Sequence, residues 1–174
     1  DIAKCTSCSH VFNRSFSPAL CGSMYSGDIL SNKPVHIGMT RELEKIADFI
    51  GAENYSGKTV VEIGAGTGHL AKILAERAAL VTIYEPSLGL NHTMVPESNI
   101  VLHNCLFGMQ PESDLVDLVI CRHVLEHVPE PKEFLIAIRK AIKRCGLLYL
   151  EIPRLEYIFA TGTIPHSHPA HLPD

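Results

Sequence analysis

Residues 59–70 read TVVEIGAGTGHL, and three kinds of local structure follow one another within them. Val60, Val61 and Ile63 form a short β-branched apolar run, the composition of a parallel strand buried on both faces. Gly64, Gly66 and Gly68 then alternate with Ala65 and Thr67, so the backbone can turn sharply and a ligand can approach without meeting a Cβ. After Gly68 the apolar period lengthens, and Leu70, Ile73, Leu74 and Arg77 fall on one helical face. Strand, glycine turn and helix in this order predict an α/β chain whose central strand ends in a binding turn.

The details of the turn narrow its ligand. A dinucleotide site has the spacing G-x-G-x-x-G, with a pyrophosphate at the helix N-terminus. Here the spacing is G-x-G-x-G, and Glu62 stands two residues before the first glycine. Its charge would oppose a diphosphate and suits an ammonium group. Residues 62–68 thereby resemble the first motif of the class I S-adenosylmethionine (SAM) dependent methyltransferases, E/D-x-G-x-G-x-G. Glu85 follows Glu62 by 23 residues, room for one crossover helix, and ends the apolar run Leu80–Tyr84. At the carboxyl end of a neighbouring strand, exposed to solvent, an acid can accept hydrogen bonds from both ribose hydroxyls of an adenosine.

The rest of the chain supplies the sheet. Thr40 reads as the N-cap of a helix with Leu43, Ile46, Ala47 and Ile50 on its apolar face. Ile100–His103 reads as a third strand and residues 115–121, LVDLVIC, as a fourth. The segment RHVLEHVPEP follows, and it is similar to the post-strand segment of the same methyltransferases. Pro131 suits a first helical turn; Phe134, Leu135, Ile138, Ala141 and Ile142 form one face, Lys143 and Arg144 favour the helix C-terminus, and Gly146 can end it. Residues 147–152 are a fifth strand. The expected fold is a Rossmann-like, doubly wound parallel sheet of order 3-2-1-4-5. Residues 153–174, with Pro153, Pro165, Pro169 and Pro173, lack the pattern for the last two strands of a complete methyltransferase fold.

The chain has 174 residues, 46% of them apolar, and a net charge of -4, which fits one core and gives no basic footprint for nucleic acid or an anionic membrane. No apolar run reaches the roughly 18 residues needed to span a bilayer, and the start does not read as a signal peptide. The scattered cysteines are not a disulfide framework, so a cytoplasmic setting with reduced thiols is expected.

Near the start, Cys5 and Cys8 stand at the spacing of one half of a tetrahedral zinc site, with His10 and Cys21 the only near candidates for further ligands. A metal-free loop is the other reading, and no metal is assigned to this chain. The stretch resembles the second half of the cysteine-rich zinc module carried by some SAM methyltransferases, sugar C-methyltransferases among them. Residues 1–39 are accordingly expected to form a cysteine-containing segment and residues 40–174 the SAM-binding domain.

What the resemblance implies is a methyl transfer from SAM to a small-molecule acceptor, with C-methylation of a nucleotide-linked sugar as one such reaction. The cofactor residues it implies are Glu62, Gly64, Ala65, Gly66, Gly68, Glu85, Pro86, Asn104, Cys121 and Arg122. His123 follows the fourth strand and can act as a base near neutral pH. His127 is four residues on, with Glu126 between, so a helix there would put both rings on one face, where two imidazoles could also hold a metal. Tyr25 and the tail histidines His166, His168 and His171 are further candidates for the acceptor side. A homo-oligomer, or a partner chain completing the sheet, fits the short tail. Two other functions stay open: a SAM-binding module without catalysis, favoured by the missing strands, and a nicotinamide oxidoreductase, disfavoured by Glu62.

Overall fold

The computed structural model describes residues 2–15, 17, 37–87, 98–108, 115–154, 156, 157 and 160. Cys21, Tyr25, His166, His168 and His171 lie outside them. Strands β1 (Ile2–Lys4) and β2 (Val11–Asn13) pair antiparallel as a small hairpin. Helix α1 (Ile37–Ile50) and a 3-10 turn (Ala52–Asn54) lead into β3 (Thr59–Ile63), followed by α2 (His69–Ala75), β4 (Leu80–Tyr84) and β5 (Ile100–His103). Strand β6 (Val116–Arg122), a 3-10 turn (Leu125–His127), helix α3 (Pro131–Ala141) and β7 (Ile142–Glu151) complete the described elements.

The main sheet has the order β5-β4-β3-β6-β7 with every neighbouring pair parallel. Leaving the hairpin out of the count, this is the expected 3-2-1-4-5. Period-two alternation divides the core between the sheet's two faces. Val60, Val81, Ile83, Leu118 and Ile120 pack against Leu43, Ala47, Leu70 and Leu74 of α1 and α2. Val61, Ile63, Val119 and Cys121 join Ile138 of α3 in a second cluster. Each buried Val, Leu or Ile contributes on the order of 1.5–3 kcal/mol, so the central strands are fixed from both sides. On β3 the alternation places Glu62 on the same side as Val60, toward α1 and α2.

Four boundaries differ from the sequence reading. Helix α2 ends at Ala75, so Arg77 lies beyond it. Helix α1 begins at Ile37, ahead of Thr40, because the first turn needs no intrahelical partner for its N–H groups and tolerates Gly38. Strand β6 is shifted by one residue: Leu115 is exposed, while Arg122 pairs with Glu151 across the ladder. Helix α3 ends at Ala141 and the chain enters β7 at once, so Ile142 is a buried strand residue and Lys143 and Arg144 are not helical.

The cause of the last difference is distant in sequence. Lys143 Nζ reaches Asp117 Oδ1 at 2.8 Å, and Asp117 Oδ2 accepts from Thr59 N at 3.0 Å and Thr59 Oγ1 at 2.9 Å. Asp117 thus ties β3, β6 and β7 together. The pairing jumps from Val116↔Ile142 to Leu118↔Leu147, so the chain between Ile142 and Leu147 forms a bulge opposite Asp117. A Cβ on Gly146 would lie 2.8 Å from the Asp117 carbonyl oxygen and 3.1 Å from that of Val116, which is why glycine stands there and does not cap the helix.

Candidate active site

The carboxyl ends of β3, β4 and β6 form one edge, where open α/β sheets bind ligands. The ladder continues one step past β3, with Gly64 N donating to Tyr84 O at 2.8 Å. The chain then turns through Gly64, Gly66 and Gly68 with φ of 73°, 56° and 71°, left-handed values that favour glycine. A Cβ at Gly64 would run into the Val124 side chain, so the turn lies directly against the segment after β6. Gly68 N donates to Ala65 O at 2.9 Å and closes the loop onto α2.

Two buried acids flank this loop and are treated differently. Glu85 is only 7% exposed, which corrects the expected solvent-facing acid. Its Oε2 accepts from Gly66 N at 2.8 Å and its Oε1 from Ser87 N at 3.0 Å. It is drawn inward because Gly66 of the glycine turn and Ser87 after β4 present N–H groups that need an acceptor. Each oxygen keeps one further acceptor site for a ligand hydroxyl. Pro86, between these partners, is half-buried.

Glu62 is 4% exposed, and its Oε2 has no hydrogen-bond partner. Burial pushes its carboxyl up to about 7; the Arg122 charge and, less, the backbone N–H of Ala71 work against this, and the Glu85 charge adds to it. A buried carboxylate oxygen left unpaired beside a glycine turn is a site for a cationic donor. SAM carries an ammonium group on its amino-acid end, so the residues present fit it, whereas a diphosphate would meet two acids.

The remaining expected cofactor residues are spread along the edge. Asn104 is exposed just beyond β5, and Cys105 beside it packs into the α3-side core. The Cys121 side chain is fully buried, its thiol pushed up to about 12 by burial and then by the Glu126 charge, so it can offer a ligand only backbone. Arg122 is engaged by Glu151, with Nε to Oε2 at 2.7 Å and Nη2 to Oε1 at 3.3 Å.

His123 leaves β6 in the left-handed region, φ 52°, and its N–H donates to Glu151 O at 3.0 Å. This bend places the imidazole, 48% exposed, between two carboxylates: Nε2 is 2.9 Å from Glu151 Oε1 and Nδ1 is 3.6 Å from Glu126 Oε1. The imidazole pKa is raised above its ordinary 6.5, first by the hydrogen-bonding influence of Glu126 and then by the charges of Glu151 and Glu126; burial and Arg122 oppose the rise. The shared helical face expected for His123 and His127 is not formed, because the left-handed residue breaks the run and only Leu125–His127 make a 3-10 turn. Among the described residues no group of three His, Cys, Asp or Glu side chains could hold a metal ion.

Sequence reasoning missed Glu151 and gave Glu126 no role. Glu151 ends an apolar strand directly across the ladder from Arg122, and counting the parallel register would have found it. In the hairpin, Cys5 and Cys8 bound a tight turn in which Cys5 N donates to His10 O at 2.7 Å and Ser9 N to Cys5 O at 3.0 Å. The Cys5 thiol is lowered by the backbone N–H groups of Cys8 and Ser7 and by the Cys8 thiol.

Comparison with known proteins agrees with this geometry. A family model for a methyltransferase domain matches residues 35–171. A ubiquinone biosynthesis O-methyltransferase of Idiomarina loihiensis is 37% identical over 102 residues, 53% of this chain and 41% of its own length. Its counterpart from Pasteurella multocida is 26% identical over 133 residues, 67% of this chain and 54% of its own. The chain therefore spans about half the length of these curated relatives. Among solved structures, the magnesium protoporphyrin IX methyltransferase of Synechocystis with bound SAH aligns at a TM-score of 0.64 and 16% identity, over 91% of this chain and 84% of that one. At that identity the likeness speaks for the fold alone. With its glycine turn at the head of the central strand, its 3-2-1-4-5 sheet and a family match over most of its length, the chain belongs to the methyltransferase-domain family and has the class I fold.

Proposed function

We propose that this chain is the cofactor-binding core of a SAM-dependent methyltransferase that methylates a hydroxyl of a small-molecule acceptor. The observation that carries the cofactor is the unpaired oxygen of buried Glu62 beside the glycine turn. Glu62 takes the ammonium group, the Gly64, Ala65, Gly66 and Gly68 backbone leaves room for the amino-acid end, and the spare acceptor sites of Glu85 take the ribose hydroxyls. Pro86, Asn104, Cys121 and Arg122 line the same edge. When bound, SAM supplies an electrophilic methyl on a sulfonium. The protein aligns and desolvates the reactants, and His123 receives the acceptor's proton.

The hydroxyl acceptor, and with it a step of ubiquinone biosynthesis, is supported by the likeness to the ubiquinone biosynthesis O-methyltransferases. A second reading, C-methylation of a nucleotide-linked sugar, is favoured by the Cys5/Cys8 hairpin, which suits a zinc half-module in residues 1–39 ahead of a catalytic domain in 40–174. A partner chain or second copy that completes the sheet beyond β7 is supported by the exposure of Leu147, Leu148 and Leu150. No helix among the described residues is long and apolar enough to cross a membrane. The described cysteines are free thiols, which supports a cytoplasmic setting.

Calorimetry tests the cofactor: SAM and S-adenosylhomocysteine are expected to bind and NAD to give no heat. Binding of NAD alone would overturn the assignment. The acceptor is tested by offering the full protein a hydroxylated ubiquinone precursor and, separately, nucleotide-linked sugars with SAM. Methyl transfer only to the sugars would move the assignment to the second reading.

A further inference from the structure

We propose that Glu151 is the positioning residue of His123: its carboxylate holds the proton-bearing Nε2, so that Nδ1 is the nitrogen left to take the acceptor's proton. The inference rests on the reading of His123 as the base, and it follows from counting donors and acceptors. An ionised carboxylate accepts about four hydrogen bonds and donates none. Glu151 Oε2 accepts from Arg122 Nε at 2.7 Å and from the Tyr149 hydroxyl at 3.2 Å. Its Oε1 accepts from Arg122 Nη2 at 3.3 Å and lies 2.9 Å from His123 Nε2. Burial disfavours the charge on Glu151, yet the bond from Arg122 and the Arg122 charge hold its carboxyl below the ordinary value, so it has no proton to give. The hydrogen in the 2.9 Å contact therefore belongs to Nε2.

The other edge of the ring is left open. Nδ1 makes no hydrogen bond: Glu126 Oε1 is 3.6 Å away, and both Glu126 oxygens are buried without a hydrogen-bond partner. Without a proton Nδ1 has nothing to offer a carboxylate, which accounts for the gap and for the unanswered acid together. When the acceptor's O–H bond breaks, its electron pair stays on the oxygen and its proton goes to Nδ1. The imidazolium then stands between Glu151 at Nε2 and Glu126 at Nδ1. The backbone makes the grip rigid. Arg122 and Glu151 are partners in the parallel ladder, and the His123 N–H donates to the Glu151 carbonyl at 3.0 Å. One residue of β7 thus holds the main chain of His123 by its carbonyl and the ring by its carboxylate. The left-handed backbone of His123 is strained, and such strain persists where the surroundings fix it. The charged and titratable groups around the ring are Arg122 from β6, Glu126 from the 3-10 turn, and Glu151 and Tyr149 from β7. A carboxylate on one imidazole nitrogen sets the tautomer and frees the other nitrogen for proton transfer.

Long-range proton–nitrogen NMR of the full protein, with the His123 signals assigned by their loss in His123→Asn, reads the proton directly. In the neutral ring the proton is expected on Nε2 with Nδ1 bare, and the titration midpoint above 6.5. Glu151→Gln can turn either a donor or an acceptor to the ring, so it is expected to mix the two tautomers and lower the midpoint. With an acceptor in hand it should lower kcat by about 10²-fold, the low end of a general base's contribution, while KM holds. Glu151→Asp recovers part of each. A neutral wild-type ring protonated on Nδ1 would overturn the proposal whether or not the variants fold, and so would an unchanged tautomer and midpoint in folded Glu151→Gln. If Glu151→Gln moves the tautomer while His123→Asn leaves the single-turnover rate intact, the base assignment falls and the hold of Glu151 on the Nε2 proton stands.

Discussion

The two acids at the glycine turn show how one edge of a sheet separates scaffold from site. Glu85 spends both oxygens on backbone N–H groups of Gly66 and Ser87, whereas Glu62, one strand away and equally buried, leaves Oε2 without a partner. The acid with both oxygens answered by backbone shapes the loop, whereas Glu62 keeps one oxygen for a ligand. The comparison predicts opposite phenotypes. Glu85→Ala removes the acceptor of two N–H groups, each bond to a charged group being worth about 1.5–3 kcal/mol. It should cost about 3–6 kcal/mol shared between stability and cofactor affinity, measured by urea denaturation and by calorimetry with S-adenosylhomocysteine. Loss of affinity with full stability would return Glu85 to a purely ligand-facing role.

The far end of the same edge, where β6 meets β7, sharpens the contrast, because charge there is arranged around a proton and not around a loop. His123→Asn is expected to leave cofactor affinity intact and slow the single-turnover step by about 10²–10⁴-fold, or about 3–5 kcal/mol. The rate of the wild type should rise with pH through a midpoint above 6.5, since only the neutral ring accepts a proton and the surrounding carboxylates raise its pKa. A pH–rate profile without that limb would remove His123 from the chemistry. In stability the sign is reversed: the raised folded-state pKa stabilises the fold below 6.5 and the benefit is lost as pH rises through the folded midpoint.

The sheet was legible because its signal is local. Short β-branched runs such as Val60, Val61 and Ile63, separated by crossover-length segments, leave few topologies open. The end of α3 was not legible, because what takes Lys143 out of the helix is Asp117, an acid 26 residues away in sequence. The sequence marks Glu85 as a strand-end acid but not as a buried one, since the Gly66 N–H that draws it inward reaches it only once the loop has folded. Glu151 and Glu126 escaped for a related reason: their meeting at His123 depends on parallel register and on one left-handed residue, and neither is written in hydrophobic periodicity.

The Asp117 junction offers a check on the fold apart from the site. Asp117→Ala should destabilise the protein by about 2–3 kcal/mol through the lost bonds to Thr59 and Lys143, without altering cofactor affinity. Its carboxyl, held down to about 2 first by the hydrogen bond from Lys143, contributes stability above 3.8 that is lost as pH falls through about 2. Acid denaturation of the variant should lack this component.

The central claim is that the unpaired oxygen of Glu62 awaits a cation. With its carboxyl raised to about 7, Glu62 is protonated below that pH in the free protein, and binding of an ammonium group favours the ionised form. Calorimetric titration of wild type and Glu62→Gln with S-adenosylhomocysteine between pH 6 and 7.5 measures this directly. Wild-type affinity should rise with pH by up to about tenfold per unit, about 1.4 kcal/mol, with proton release on binding; Glu62→Gln should bind more weakly and show neither. Equal affinity and equal proton release in the two proteins would contradict the account.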